Sequence, residues 1–182
     1  KILSNKEWYW KDDKVQAGIA IVNVETGAIS AVGAGRNKTG ISQFNYATQA
    51  HRQPGSTAKP VFDYGPGIEY NNFSSYTIFN DEPWTYTNGP SVGNWDGGYG
   101  GIMTMRYALQ YSRNVPALKA FQLVGPKNVQ KFAYGVGLDV SLNQSSENYR
   151  VLKNGLDNTI NEAYSIGGSA EGFTPLTMAS AY

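Results

Sequence analysis

The most informative stretch of the sequence is Gln53-Pro54-Gly55-Ser56-Thr57-Ala58-Lys59-Pro60. Its Pro-Gly pair favours a turn, and the serine that follows is a common residue at a helix N-terminus. Pro60 fits the first turn of a helix, because the first four N–H groups of a helix have no intrahelical partner. We therefore predict a short helix that begins at Ser56 and ends near Gly65-Pro66-Gly67.

Ser56 and Lys59 have the spacing of a nucleophile and its base. Residues three apart lie on the same face of a helix, so the Lys59 amine can approach the Ser56 hydroxyl. Serine is a weak nucleophile until a base accepts its proton, and the chain has one histidine, His51. A lysine base must be neutral, which burial and a helix N-terminus both favour. The alternative interpretation is a capping serine beside a surface lysine, because S-x-x-K occurs by chance about once in a chain of this length.

A second polar cluster, Ser112-Arg113-Asn114, lies between two predicted helices that span 104–111 and 115–125. A junction between helices can direct Ser112 and Asn114 toward one cleft. Ser112 could then relay a proton between Lys59 and a leaving group, and Asn114 could hydrogen-bond a substrate amide. Helix-end capping explains this segment equally well when it is taken alone.

The rest of the chain predicts a mixture of strands, loops and helices. Residues 1–14 are interpreted as a linker or lead-in, and the alternating, β-branched residues over 15–33 predict a β-hairpin around Glu25-Thr26-Gly27. Residues 67–101 are rich in loop-forming residues. Further helices are predicted over 127–134, 160–166 and 176–182, and the apolar spacing predicts that Met105, Ala108, Leu109 and Tyr111 are buried.

The composition excludes several classes of protein. Hydrophobic residues make up 41% of the 182 residues and charged residues 16%, which indicates a folded globular chain. Fifteen Lys+Arg against fourteen Asp+Glu leave a net charge of +1, so we expect no nucleic-acid partner. The lack of cysteine and the single histidine exclude a thiol nucleophile and a multi-His metal site, and we expect no cofactor. No apolar run is long enough to span a membrane, so we expect any anchor to lie outside this chain.

The S-x-x-K and S-x-N patterns at 56–59 and 112–114 resemble two of the three signature motifs of penicillin-binding proteins and serine β-lactamases, of which the third is K-T-G. The surrounding segments are similar to the transpeptidase domain of bifunctional class A penicillin-binding proteins. These segments are 44–48, 52–56, 94–100, 108–117, 166–168, 173–176 and 179–182. The resemblance implies an α+β fold with an antiparallel sheet flanked by helices, incomplete in this chain.

The resemblance also implies roles for individual residues. Ser56 would be the acylated nucleophile and Lys59 its general base, with Ser112 and Asn114 forming the second motif. The backbone N–H of Ser56 would supply half of the oxyanion hole. Trp95 corresponds to an aromatic residue of the family that either borders the substrate cleft or packs in the core.

The sequence departs from the family at the third motif. Lys38-Thr39-Gly40 precedes Ser56, whereas the family's K-T-G follows S-x-N on a later strand, so we interpret it as a loop. Ser146-Glu147-Asn148 is a second S-x-N pattern in a polar segment, and Ser112 at the helix junction is the better candidate. We therefore expect residues 15–182 to be the N-terminal part of a transpeptidase domain. A continuing polypeptide would carry K-T-G, and the fragment alone would be inactive.

The implied activity is a D,D-transpeptidase that cross-links peptidoglycan through an acyl-enzyme and is inhibited by β-lactam antibiotics. Its partners would be a stem peptide that ends in D-Ala-D-Ala and the amine of an acceptor strand. An upstream glycosyltransferase domain and membrane anchor, outside this chain, would place it at the extracytoplasmic face of the bacterial cytoplasmic membrane.

Two alternative functions stay open. One is a D,D-carboxypeptidase or β-lactamase on the same scaffold, although Glu162 lacks the asparagine four residues on that a deacylating glutamate would have. The other is a non-catalytic cell-wall-binding or sensor module that uses the aromatic surface.

Overall fold

The computed structural model describes residues 10, 12, 14–140, 160–169 and 171–182. The second S-x-N pattern at 146–148 and most of the segment 1–14 lie outside the described residues. The chain divides into two compact units, residues 1–52 with 171–182 and residues 53–170.

Helices and short antiparallel strands alternate along the described residues. The strands are β1 (Ile19–Val22), β2 (Ile29–Gly33), β3 (Ile78–Asp81), β4 (Trp84–Thr85), β5 (Ser91–Val92) and β6 (Gly101–Thr104). The α-helices are α1 (Gly65–Asn71), α2 (Met105–Gln110), α3 (Asn114–Val124), α4 (Pro126–Gly135) and α5 (Pro175–Ala181). Turns of 3₁₀ helix cover Gly55–Ala58 and Glu162–Ile166, and a π-helical turn covers Pro60–Tyr64.

The first unit is built on the predicted hairpin. β1 and β2 pair antiparallel with Ile19 opposite Gly33, which confirms the hairpin with strands shorter than the 15–33 segment. The turn between them is closed by Asn23, whose Oδ1 accepts the N–H groups of Glu25 and Thr26 at 2.9 Å each. α5 packs against β1.

The second unit has an apolar core around α3. Val115, Leu118 and Phe121 of α3 are all 0% exposed. The predicted helices over 104–111, 115–125 and 127–134 are confirmed as α2, α3 and α4. In the second unit β3 pairs with β6 and β4 with β5, so the strands of the loop-rich segment are short, and its first residues form the end of α1.

Two details of the prediction are wrong. The helix after Ser56 does not end near residues 65–67: the π-helical turn closes when Gly65 N donates to the Pro60 carbonyl, and α1 continues to Asn71. Pro66 is tolerated there because it lies at the start of α1. Leu109 and Tyr111 are 38% and 45% exposed, since Met105 and Ala108 already fill the core-facing side of a six-residue helix. The segment 160–166 is helical as predicted, and its helix is of the 3₁₀ type and covers Glu162–Ile166.

None of the helices in the described part of the chain is long and apolar enough to cross a membrane. Within the same ranges, no three His, Cys, Asp or Glu side chains converge as metal ligands would.

Candidate active site

The turn over residues 53–60, called the nucleophile turn because it carries the predicted nucleophile, places Ser56 at the start of a helical segment. Gly55 has a φ of +57°, a left-handed conformation that glycine adopts without a steric penalty. Pro54 takes the N-cap position and no side chain caps the helix, so Ser56 does not act as a capping residue. Its hydroxyl is therefore available to Lys59, which lies one turn later.

The Lys59 amine joins the residues that the two motifs predicted. Its Nζ lies 2.8 Å from Ser56 Oγ, 3.1 Å from Ser112 Oγ and 2.8 Å from Asn114 Oδ1, and also 3.2 Å from the Ser112 carbonyl oxygen. An ammonium has three protons for these four acceptors. A neutral amine can instead donate to Asn114 and Ser112 while its lone pair faces the Ser56 hydroxyl, which is the geometry of a general base.

Burial moves Lys59 toward this neutral form. The residue is 0% exposed, and burial lowers the pKa of its amine from 10.5 to about 8, against a smaller raising effect of Asp63. Asp63 lies one turn further along and is itself fully buried, which raises the pKa of its carboxyl well above the usual range. Burial therefore disfavours the charged forms of both Lys59 and Asp63.

The helix junction that carries Ser112 is a Schellman motif. Ser112 N donates to the Leu109 carbonyl at 3.0 Å, and Arg113 N donates to the Ala108 carbonyl at 2.9 Å. Ser112 occupies the position that is usually glycine, with a left-handed φ of +52°. This conformation costs a residue with a side chain about 1–2 kcal/mol. A serine at this position therefore indicates a use for its hydroxyl.

The loop over residues 93–98 fixes the orientation of Asn114. Asn114 Nδ2 donates to the Gly93 carbonyl at 2.9 Å, so its Oδ1 is the atom that accepts from Lys59. Asn94 Oδ1 accepts the backbone N–H of Asn114 at 2.7 Å and thereby caps α3. Trp95 is 71% exposed rather than packed in the core, and its Nε1 donates to the Tyr111 carbonyl, next to Ser112.

Sequence reasoning missed the contact that supports the nucleophile turn from a distant segment. A Cβ at Gly167 would overlap the Gly55 carbonyl oxygen, so only glycine fits there. Gln53 Nε2 also donates to the Ser169 carbonyl at 3.3 Å. The adjacent glycines at 167 and 168 do not by themselves indicate what approaches them.

The remaining residues that the sequence singled out lie apart from this cluster. Lys38-Thr39-Gly40 is a loop, as predicted, and Lys38 Nζ donates to the Phe44 carbonyl. His51 Nδ1 lies 3.4 Å from the Gly172 carbonyl oxygen, which fits a structural residue. The two carboxylate oxygens of Glu162 accept from the backbone N–H and the hydroxyl of Thr87.

Comparisons with known proteins agree with the motifs. The family described as the penicillin binding protein transpeptidase domain matches residues 17–182. Penicillin-binding protein 1A/1B of Bacillus subtilis is 45% identical over 170 residues, which cover 92% of this chain and 17% of that protein. Penicillin-binding protein 1A of Streptococcus pneumoniae is 43% identical over 135 residues, covering 71% of this chain and 19% of that protein.

A solved structure shows the same fold. Penicillin-binding protein 1A from Haemophilus influenzae matches with a TM-score of 0.73 and 29% identity, over 92% of this chain and 23% of that one. The helices and antiparallel strands described above form part of this fold, which confirms the predicted α+β class. The chain spans less than a quarter of the length of each of these three proteins. On these grounds the chain belongs to the penicillin-binding protein transpeptidase family, and its relatives are class A penicillin-binding proteins.

Proposed function

We propose that this chain supplies the nucleophile, its base and the second motif of a serine D,D-transpeptidase that acts on peptidoglycan. One observation carries the proposal: the buried Lys59 amine lies within 3.1 Å of Ser56 Oγ, Ser112 Oγ and Asn114 Oδ1. Membership of the family supports it independently. Within that family, residues 15–182 are the N-terminal part of the transpeptidase domain.

The first half of the proposed reaction forms an acyl-enzyme. Neutral Lys59 accepts the Ser56 proton while Ser56 Oγ attacks the carbonyl carbon of the D-Ala-D-Ala peptide bond. The backbone N–H of Ser56 donates to the developing oxyanion. The C–N bond then breaks, and the proton passes from Lys59 through the Ser112 hydroxyl to the amine of the departing D-alanine. An ester on Ser56 remains.

The second half transfers the acyl group to an acceptor. The amine of a neighbouring peptidoglycan strand attacks the ester carbon and loses a proton to Lys59. The ester C–O bond breaks, Ser56 Oγ takes that proton, and a new peptide bond is left. A β-lactam reacts by the first half alone: its ring C–N bond breaks, but the amine stays tethered and the acyl-enzyme persists.

The chemistry needs groups beyond the ones described. We propose that a continuing polypeptide supplies the K-T-G motif, which would bind the substrate carboxylate and complete the oxyanion hole. We also propose that an upstream anchor holds the protein at the extracytoplasmic face of the bacterial membrane. Residues 1–182 alone should then resist labelling by a fluorescent penicillin. Labelling of the fragment at Ser56 at the rate of the full-length protein would show that no third motif is needed.

The activity is tested with the full-length protein, a donor peptide ending in D-Ala-D-Ala and an acceptor amine. A transpeptidase releases D-alanine and forms one cross-linked product per D-alanine, and the Ser56→Ala variant does neither. Release without cross-linking would indicate a carboxypeptidase, and rapid hydrolysis of penicillin a β-lactamase. Retained peptidoglycan binding with no D-alanine release by either protein would indicate a binding module.

Trp95 is proposed to border the substrate cleft. Its ring is largely exposed, and its Nε1 is held by the carbonyl of the residue before Ser112. Trp95→Ala is expected to raise the KM for the donor peptide about 3- to 10-fold, because an aromatic contact is worth about 1 kcal/mol. Tyr99→Ala, which alters another exposed aromatic of the same region, is the control. An unchanged KM in the Trp95 variant would remove the residue from the site.

A further inference from the structure

The carboxylate of Asp81 receives hydrogen bonds from the loop over residues 94–100 and from Arg113, which lies between Ser112 and Asn114. Asp81 is the last residue of β3, and its side chain is 0% exposed. Asn94 Nδ2 donates to its Oδ1 at 2.8 Å. Gly100 N and Arg113 Nε donate to its Oδ2 at 2.9 and 2.7 Å. A buried carboxylate needs such partners, and in return it fixes the direction of each of them.

One connection from Asp81 runs through Asn94. Because the Asn94 amide nitrogen donates to Asp81 and to the Gly98 carbonyl, its oxygen is left to face the start of α3. That oxygen accepts the backbone N–H of Asn114, whose own side-chain oxygen accepts from Lys59. Two hydrogen bonds and one residue therefore separate Asp81 from the atom that contacts the catalytic amine.

The other connection runs through Arg113, the central residue of the S-x-N motif. While its Nε donates to Asp81, its Nη1 donates to Asp96 and its Nη2 to the Gly98 carbonyl, each at 2.7 Å. All three guanidinium nitrogens are therefore held. The motif residues on either side of Arg113 share its backbone, so their positions depend on this anchor.

We propose that Asp81 is a positioning residue of the acylation step, because it orients Asn94 and Arg113 so that the S-x-N turn meets the Lys59 amine. The inference rests on the proposed function, since it assigns Asp81 a part in the same step. The hydrogen bonds that Asp81 accepts from Asn94 and Arg113 are the route by which it would act on the site.

The test replaces Asp81 by Asn in the full-length protein and follows acylation by a fluorescent penicillin. The amide keeps the size of the carboxylate but cannot accept all three hydrogen bonds. We expect the acylation rate constant at saturating penicillin to fall about 10- to 100-fold. The dissociation constant of the complex that precedes acylation should stay within about threefold, and the pH midpoint of acylation should not move.

Glu82→Gln is the matched control. Glu82 follows Asp81 in the chain and also pairs with a cation of α3, Lys119, at 2.8 Å, but its side chain is 45% exposed. Acylation by this variant should equal that of the wild type. If Asp81→Asn does not fold, Asn94→Ala interrupts the first connection with Asp81 in place and should slow acylation in the same way.

Acylation of a folded Asp81→Asn protein at the wild-type rate would overturn the inference, as would a moved pH midpoint, which would indicate an electrostatic role. Crystal structures of the wild-type and Asp81→Asn proteins test the same inference through a distance, without any reaction. Lys59 Nζ and Asn114 Oδ1 should separate beyond about 3.5 Å in the variant, and an unchanged distance would also overturn the inference. If the wild-type protein is not acylated at Ser56, the proposed function fails, while the crystal structures still decide the role of Asp81.

Discussion

The nucleophile turn and the helix junction meet at the same lysine but are built differently. Ser56 and Lys59 lie in one helical segment, so three residues of sequence spacing bring them together. The positions of Ser112 and Asn114 depend on the left-handed backbone of Ser112 and on the hydrogen bond from Asn114 N to Asn94, a residue 20 positions away. The proposed nucleophile and base are therefore brought together by local sequence spacing, whereas the proposed relay and amide acceptor depend on tertiary structure.

The largest expected effect comes from removing the amine that the two regions share. Lys59→Met keeps a buried chain of similar length but leaves no base for Ser56. The rate of acylation by a fluorescent penicillin is expected to fall about 10²- to 10⁴-fold. The full-length protein should remain folded by circular dichroism. Acylation within tenfold of the wild-type rate would show that another group accepts the Ser56 proton.

A Gly167→Ala variant tests how far the nucleophile turn is independent of the rest of the unit. The new methyl group would collide with the Gly55 carbonyl, and the backbone φ of +89° would also strain an alanine at this position. We expect a loss of about 2–4 kcal/mol in the free energy of unfolding, measured with urea, together with slower acylation.

Gly137→Ala separates these two effects. Gly137 has a similar φ of +83°, and a methyl group added at this position would meet no atom within 4 Å. Its substitution should cost only about 1 kcal/mol, the strain alone. Equal losses in the two variants would mean that the contact between Gly167 and Gly55 does not support the nucleophile turn.

The pH dependence of acylation tests the state of the shared lysine. With a pKa of about 8, Lys59 is neutral in about a tenth of the molecules at pH 7, so acylation should rise with pH to a midpoint near 8. The unfolded chain keeps its lysine proton up to 10.5, so the free energy of unfolding should also rise between about pH 8 and 10.5. A rate that does not vary between pH 6 and 9 would contradict the assignment of Lys59 as the base.

The Asp63→Asn variant sharpens the pH test. The coulombic effect of Asp63 raises the pKa of Lys59, so an uncharged amide at position 63 can leave the midpoint in place or lower it. A midpoint that moves upward would show that Asp63 acts on Lys59 by another route.

The smallest expected effect concerns the strained serine of the junction. Ser112→Gly and Ser112→Ala both remove the hydroxyl, and both should slow acylation to the same extent. Only glycine adopts the left-handed conformation without strain. The free energy of unfolding in urea should therefore be about 1 kcal/mol higher for the glycine variant than for the alanine variant. Equal stabilities would mean that the backbone at 112 is not strained.

The sequence predicted what depends on local spacing. The S-x-x-K pair, the hairpin, and the helices α2, α3 and α4 all follow from patterns within short segments of the chain. The end of α1 at Asn71 could not be predicted, because Gly65-Pro66-Gly67 breaks most helices but here follows a π-helical turn. Asp81 gave no signal, since its role arises from hydrogen bonds to residues 13 to 32 positions away.

Whether Ser56 is the nucleophile is decided by peptide mapping with mass spectrometry after the full-length protein reacts with penicillin. We expect one added penicillin mass on the peptide that contains Ser56, and none in the Ser56→Ala protein. An adduct on a different residue, or an adduct that persists in the Ser56→Ala protein, would contradict this assignment.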